Sequence, residues 1–155
     1  MWSAMKEQRQ QDLIQLENAF IQMKRRMDSE WTKTNGFGLN GMQARILIRL
    51  FEDGSQKASV LAEKLLVTAG AITGIADKLI DMEYLERERD LDDRRVVNLV
   101  ITEKGKAVVQ KLKGKRAEIS EMMFTGLSDD DVKQLTRLFN QIIANMDRAR
   151  EQNKN

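Results

Sequence analysis

The sequence predicts a mainly α-helical fold that contains one small β-hairpin. Apolar residues recur every three or four positions over most of the 155 residues, which is the period of amphipathic helices. Proline, which would interrupt such helices, is absent from the sequence. Only the stretch 84–101 replaces this period with alternating and β-branched residues, which are typical of strands.

The composition excludes several classes of protein. With 41% hydrophobic and 32% charged residues, the chain has the composition of neither a disordered nor a membrane protein. It contains no cysteine and no histidine, which rules out thiolate nucleophiles, imidazole or thiolate metal sites and Ser-His-Asp triads. Carboxylate-only catalysis remains possible, but most common enzyme designs are excluded, and we expect no enzyme, no cofactor and no metal site. The first eleven residues are too polar for a signal peptide, so the expected location is cytoplasmic.

The first two predicted helices are separated by a glycine-containing break. Gly36 and Gly38 end the first helix, and Asn40 is the expected N-cap of the second, which closes at Asp53–Gly54. The first helix has one narrow apolar stripe, made by Leu13, Leu16, Phe20, Met23, Met27 and Trp31.

Two shorter helices follow, over Ala58–Leu65 and about Ala69–Met82. Val60, Leu61 and Leu65 are expected to face inward on the first of them, and Thr68 is the expected cap of the second. Two short helices about three residues apart are the pattern of a helix-turn-helix.

A β-hairpin is predicted directly after these helices. Tyr84–Arg89 and Val96–Ile101 are the two strands, and the polar segment Asp90–Arg95 is the turn between them. A hairpin in this position is a wing, so the fold class becomes a winged helix-turn-helix with additional helices at both ends.

The remaining chain predicts two long helices. Thr102–Gly105 leads into the first, and Ser128–Asp131 is a capping signature for the second. The inward positions expected on the first helix are Val108, Val109, Leu112, Ile119, Met122 and Met123. On the last helix the apolar stripe consists of Val132, Leu135, Leu138, Phe139, Ile142, Ile143 and Met146.

The apolar stripes of the terminal helices are more than one small domain can bury. We therefore expect a C₂ homodimer in which these helices pack against a second copy. The predicted division is a helical dimerisation region formed by residues 1–38 and 107–155, and a winged helix-turn-helix domain formed by residues 39–106.

A series of motifs in a fixed order runs from Ala58 to Gly105. They are Val67-Thr68, Thr73, Asp77 and Leu79, then Leu85-Glu86-Arg87, Asp93-Arg94-Arg95, and Ile101-Thr102-Glu103-Lys104-Gly105. With this order and spacing, the chain resembles the MarR family of winged-helix regulators. The chain departs from the family pattern in three places. It has Ile101 in place of leucine and Glu83-Tyr84 in place of Gly-Leu. It also has small residues in the second helix of the helix-turn-helix, where longer polar side chains are frequent.

The resemblance implies a duplex-DNA partner and assigns residues to it. In the wing, Arg95 would enter the minor groove with Asp93 orienting it, and Arg94 would contact a phosphate. In the second helix of the helix-turn-helix, which Thr68 caps, Thr68 would contact a phosphate and Thr73 a base edge. The other positions assigned to DNA binding in that helix are Gly70, Ala71, Gly74 and Lys78.

Each of these features also has a purely structural interpretation. The wing is equally a solvated polar turn, Thr68 a plain N-cap, and Gly70 and Gly74 tolerated defects on an exposed face. The run of six bases from Lys104 to Arg116 would flank DNA or bind an acidic effector, but such a run is usually a solvated helix face.

The expected function is transcription regulation, most simply repression of a promoter by a homodimer bound to a pseudo-palindromic operator. The resemblance implies release by a small effector, often an aromatic or phenolic acid, at the junction of the dimer and DNA lobes. Trp31 and the methionines of the first helix would line such a pocket, or simply pack in a core or dimer. The alternative function is a winged-helix protein-interaction module that binds no specific DNA.

Overall fold

The computed structural model describes residues 1–154, and it confirms the predicted fold class: helices with a small antiparallel sheet. In the described part of the chain there are six helices and three strands. They are α1 (Trp2–Thr34), α2 (Gly41–Asp53), β1 (Gln56–Lys57), α3 (Ala58–Leu65), α4 (Ala69–Asp81), β2 (Leu85–Arg89), β3 (Val97–Ile101), α5 (Glu103–Met123) and α6 (Asp129–Gln152).

The predicted helix caps are confirmed. The Asn40 side chain accepts a hydrogen bond from the backbone of Gln43, whose own side chain accepts one from Asn40, so α2 begins with a capping box. Thr68 caps α4, and Ser128 forms a second capping box with Asp131 at the start of α6. These local contacts explain why the helix starts can be predicted from short motifs.

The sheet has the order β1-β3-β2, and both pairs are antiparallel. The hairpin of β2 and β3 is the predicted wing, with Arg87 opposite Leu99 and Arg89 opposite Val97. The strand β1 was not predicted, because its two residues are too few for an alternating pattern. It pairs Gln56 with Leu99 and so attaches the wing to the start of α3.

The core lies between Leu39 and Leu112 and takes residues from every helix and larger strand in that range. It belongs to a compact unit of residues Met1–Ala117. Its buried apolar members are Leu39, Ala44, Ile46, Leu47, Leu50, Leu61, Ala62, Ile72, Ala76, Leu79, Leu85, Leu99, Ile101, Val108, Val109 and Leu112.

Two predicted inward positions are wrong. Val60 is exposed, and Ala62 is buried instead. The inner face of α3 contains Leu61 and Leu65, which lie four residues apart and therefore on the same side of the helix. Met122 is also exposed, since it lies about 100° around the helix from Met123, which is half-buried.

A second compact unit begins at Glu118 and contains α6. None of the 24 residues of α6, all of them described, is buried, and the apolar residues of its stripe are exposed. The exposed members include Val132, Leu138, Ile142 and Met146.

Among the described helices, none is by itself long and apolar enough to cross a membrane. The pair α3 and α4 reaches that length and composition together, but the two are bent by 111° at their turn.

Candidate nucleic-acid interface

The turn between α3 and α4 forms the helix-turn-helix expected from the sequence. Leu66 ends α3 in the left-handed conformation with φ of 57°, and the N–H of Val67 donates to the Ala62 carbonyl oxygen at 3.0 Å. Thr68 then begins α4, with its Oγ accepting from the Ala71 N–H at 3.1 Å. The turn projects the N-terminal end of α4 away from the core, so that residues 68–71 are all exposed.

All six residues of α4 and its N-cap that were assigned to DNA from the sequence are exposed. Thr73 donates its hydroxyl proton to the Ala69 carbonyl oxygen at 3.0 Å, so its Oγ has acceptor capacity left toward an outside partner. A Cβ added at Gly70 or Gly74 would meet no atom within 4 Å, so packing within the described chain does not require either glycine. The segment Ala69–Ala76 contains no charged side chain, and its outer surface is therefore uncharged.

An ion pair that was not predicted from the sequence joins α4 to the wing. Asp77 of α4 pairs with the Arg87 guanidinium of β2. The pair neutralises an acid that would otherwise lie beside Lys78 on the outer face of α4. Both residues belong to the motifs quoted above, but they are ten positions apart, and their pairing depends on the packing of α4 against β2, which no local pattern reveals.

The wing turn is organised by Asp90. Its Oδ1 accepts from the backbone N–H groups of Asp92 at 2.9 Å and Asp93 at 3.1 Å, and Asn98 donates to its Oδ2 at 3.5 Å. The hydrogen bond from Asp92 and then that from Asp93 lower the pKa of the Asp90 carboxyl, because they stabilise its charged form. Asp90 was predicted as the first residue of the turn, but its hydrogen bonds were not, although an Asp side chain that bonds the backbone two residues on is a known turn signal.

The basic residues of the wing extend into solvent. The Arg95 side chain is 96% exposed, and its Nε lies 3.8 Å from Asp93 Oδ1. The same carboxylate oxygen accepts from the Arg95 backbone N–H at 3.1 Å, so Asp93 holds the Arg95 backbone more closely than its guanidinium. Arg89 donates to the Arg94 carbonyl oxygen at 3.1 Å, which braces the other side of the turn.

The lysines of the basic run on α5 have partners within the chain. Lys104 pairs with Glu83 at 3.1 Å, and Lys106 with Glu103 at 2.7 Å. Lys113 pairs with Glu52 at 3.3 Å and lies 4.9 Å above the Phe51 ring. These contacts favour the structural interpretation of the run, in contrast to the outward Arg95.

Comparisons with known proteins agree with this geometry. The family model described as "MarR family" matches residues 39–97. The regulator MhqR of Bacillus subtilis, an HTH-type transcriptional regulator, is 31% identical over 105 residues, which cover 68% of this chain and 72% of MhqR.

Two solved structures are similar to the chain over most of its length. A MepR-like protein complexed with pseudoligands has 37% sequence identity and a TM-score of 0.63, covering 84% of this chain and 92% of that one. A mutant MarR from E. coli complexed with operator DNA has a TM-score of 0.78 and covers 84% of this chain and 95% of that one. At 20% identity, the latter similarity establishes the fold alone. From the matched family model and the extent of the likeness to MhqR, the chain belongs to the MarR family of transcription regulators.

Proposed function

We propose that this regulator is a ligand-responsive repressor that binds a pseudo-palindromic DNA operator as a homodimer. The observation that carries the proposal is that α4 and the wing are exposed together on one compact unit. Both are outward-facing parts of one compact unit, and the Asp77–Arg87 ion pair ties them together. A helix and a hairpin held in this way are able to engage adjacent grooves of one duplex.

In this proposal the wing enters the minor groove. Arg95 is the inserted side chain, because its guanidinium is almost fully exposed and the negative potential of a narrow minor groove attracts it. Asp93 orients Arg95, and Arg94 meets a flanking phosphate. The bonds from Asp90 keep the turn in one conformation and so reduce the ordering cost of binding.

The helix α4 enters the major groove. Thr68 and Lys78 at its two ends contact phosphates, and the helix N-terminus adds free N–H groups. Gly70, Ala71 and Gly74 allow the helix backbone to approach the bases closely, since none of them carries a side chain longer than a methyl group. Thr73 meets a base edge or a thymine methyl group.

The dimer forms through the terminal helices, residues 1–38 and 107–155, while residues 39–106 form the DNA-binding domain. Support comes from the apolar stripes of α1 and α6, neither of which has a buried residue anywhere along its described length. On α1 the exposed members include Leu13, Leu16 and Met27. Covering such stripes is a strong driving force for association. Two copies would place their α4 helices about 34 Å apart, in successive major grooves.

A small effector would release the operator. The indole Nε1 of Trp31 is buried and has no hydrogen-bond partner among the described residues, which leaves a donor for an acidic or phenolic ligand. The solved MepR-like protein contains pseudoligands, which supports a ligand site in this chain too. A protein that acts on the chromosome in this way would work in the cytoplasm.

Light scattering and duplex binding test the proposal. We expect a mass of twice 17.9 kDa, reduced to 17.9 kDa by Leu138→Glu in the stripe of α6. Duplexes selected from a random library by the wild-type protein should then lose roughly 10³-fold or more in affinity between 50 and 200 mM salt, because phosphate contacts displace counterions. A folded wild-type monomer, or an affinity that does not change with salt, would contradict the proposal; the latter result favours the protein-interaction module.

A further inference from the structure

The connection between α1 and α2 is short and contains two glycines, yet it is rigidly built. Gly36 and Gly38 have positive φ values of 78° and 67°, which turn the chain sharply between the helices. The turn begins at Asn35, which is only 2% exposed, and ends at Leu39, which is fully buried in the core. The chain therefore passes directly from the end of α1 into the winged-helix core.

The carboxamide of Asn35 closes this turn with four hydrogen bonds. Its Nδ2 donates to the Trp31 carbonyl oxygen at 2.7 Å and to the Leu39 carbonyl oxygen at 2.6 Å. Its Oδ1 accepts from the N–H groups of Phe37 at 2.9 Å and Leu39 at 3.4 Å. One buried side chain thus connects the last turn of α1 to the first core residue before α2, with its donors and acceptor all used.

The packing of α1 on the buried core is confined to its C-terminal end. From Trp2 to Ser29 every residue of α1 is exposed, and only its last turns approach the core, where Trp31 packs. The helix has 33 residues. At about 1.5 Å per residue it is about 50 Å long, so a 10° rotation at Asn35 would move its far end by about 9 Å.

We infer that Asn35 is a positioning residue for operator binding: it sets the direction of α1 relative to the winged-helix core and thereby the separation of the two α4 helices in the dimer. The inference rests on the proposed function, because it needs a dimer formed through α1 and an operator with two half-sites. A half-site spacing can be recognised only if the two reading helices are held at one distance.

The first measurement needs no DNA. The chain has no cysteine, so Glu63→Cys on the exposed side of α3 gives one spin label per copy. Pulsed electron paramagnetic resonance should give one narrow distance between the labels of the wild-type dimer. Asn35→Ala should give a broad distribution that extends over several more ångströms. The matched control is Asn40→Ala, which removes the α2 cap nearby and should leave the distance narrow.

The second measurement uses a duplex selected from a random library by the wild-type protein, together with a version that has two base pairs added at its centre. Two added base pairs turn one half-site by about 70°, and the wild type and Asn40→Ala should each lose roughly tenfold or more in affinity, at least the cost of one wrong base pair. Asn35→Ala should lose less than about threefold, since its two lobes adjust to the new spacing.

The outcomes separate the inference from the proposed function. A wild-type monomer or a wild-type protein that binds no duplex would refute both. The inference alone is refuted if the wild type is a dimer that prefers the original half-site spacing and Asn35→Ala has the same narrow label distance and the same preference. Asn35 would then act only in stability. Should Asn35→Ala fail to fold, Asn35→Ser removes the same two N–H donors but keeps a hydroxyl group in the buried site, and both measurements are repeated with it.

Discussion

Gly105, in the first turn of α5, lies directly against the main-chain carbonyl of Tyr84. A Cβ at this position would overlap the Tyr84 oxygen and also press on the Ile101 side chain. The close approach explains why the motif that leaves the wing ends in glycine. It fixes α5 against the start of β2, and so fixes the base of the wing.

Gly105→Ala should therefore destabilise the protein by about 1–3 kcal/mol, because the added methyl group forces the backbone of α5 away from the Tyr84 carbonyl. The control is Gly114→Ala in the same helix, where a Cβ would meet no atom within 4 Å. This second change should stabilise the protein by about 0.5–1 kcal/mol through helix propensity. Urea unfolding followed by circular dichroism measures both, and equal effects of the two substitutions would contradict the packing argument.

Glu83 has φ of +65°, a conformation that favours glycine. The family pattern that the sequence resembles has glycine where this chain has Glu83, in agreement with that conformation. The Glu83 side chain forms an ion pair with Lys104, which any substitution of Glu83 removes. A comparison of two variants that both lack the carboxylate therefore measures the backbone strain alone. Glu83→Gly should be more stable than Glu83→Ala by about 1 kcal/mol in urea unfolding. An alanine variant as stable as the glycine variant would show that the strain is negligible.

Much of the fold could be predicted from the sequence, because its signals are local. The caps at Asn40, Thr68 and Ser128 each depend on residues within three positions, and they are confirmed. The wing was predicted from two runs of strand residues on either side of a polar turn. The burial of Val60, which was predicted from spacing alone, was wrong, since one step along a helix rotates the side chain by about 100° around the axis.

The features that could not be predicted depend on contacts distant in sequence or on very short elements. The pairing of Asp77 with Arg87 needs α4 and β2 already packed together, and β1 has only two residues. No sequence pattern singled out Asn35, and only the folded turn reveals its bonds to both Trp31 and Leu39. The assignment of individual residues to DNA stays a prediction.

Gly74→Ala should raise stability and lower DNA affinity at the same time. The stability gain, about 1 kcal/mol, follows from helix propensity on an exposed face. The affinity should fall because the added methyl group lies on the surface that approaches the bases. Gly114→Ala serves again as the control, with a similar gain in stability and unchanged affinity. Fluorescence anisotropy with a selected duplex provides the readout, and an affinity equal to that of the wild type would argue against close approach of α4.

The wing turn should loosen at low pH through Asp90. Because its pKa is lowered in the folded wing, the Asp90 carboxylate stabilises the turn fully above the ordinary value of 3.8, and this contribution is lost as the pH falls through the lowered pKa. The side-chain amide signals of Asn98, which donates to Asp90 Oδ2, should therefore begin to move only below that value in nuclear magnetic resonance. Asp90→Asn should abolish the transition. A transition of these signals that persists in the variant would assign it to another group.

The most direct test of the account compares Arg95→Ala with Lys113→Ala in binding to one selected duplex. Both substitutions remove one positive charge per subunit, but Arg95 extends into solvent from the wing, whereas Lys113 is held by Glu52 and Phe51. Helicity is checked first to exclude unfolding. The account predicts that Arg95→Ala weakens binding by roughly tenfold or more, and most on duplexes with a narrow minor groove, while Lys113→Ala changes it little. An Arg95→Ala protein that binds like the wild type, with Lys113→Ala impaired, would contradict the account and assign DNA contact to α5.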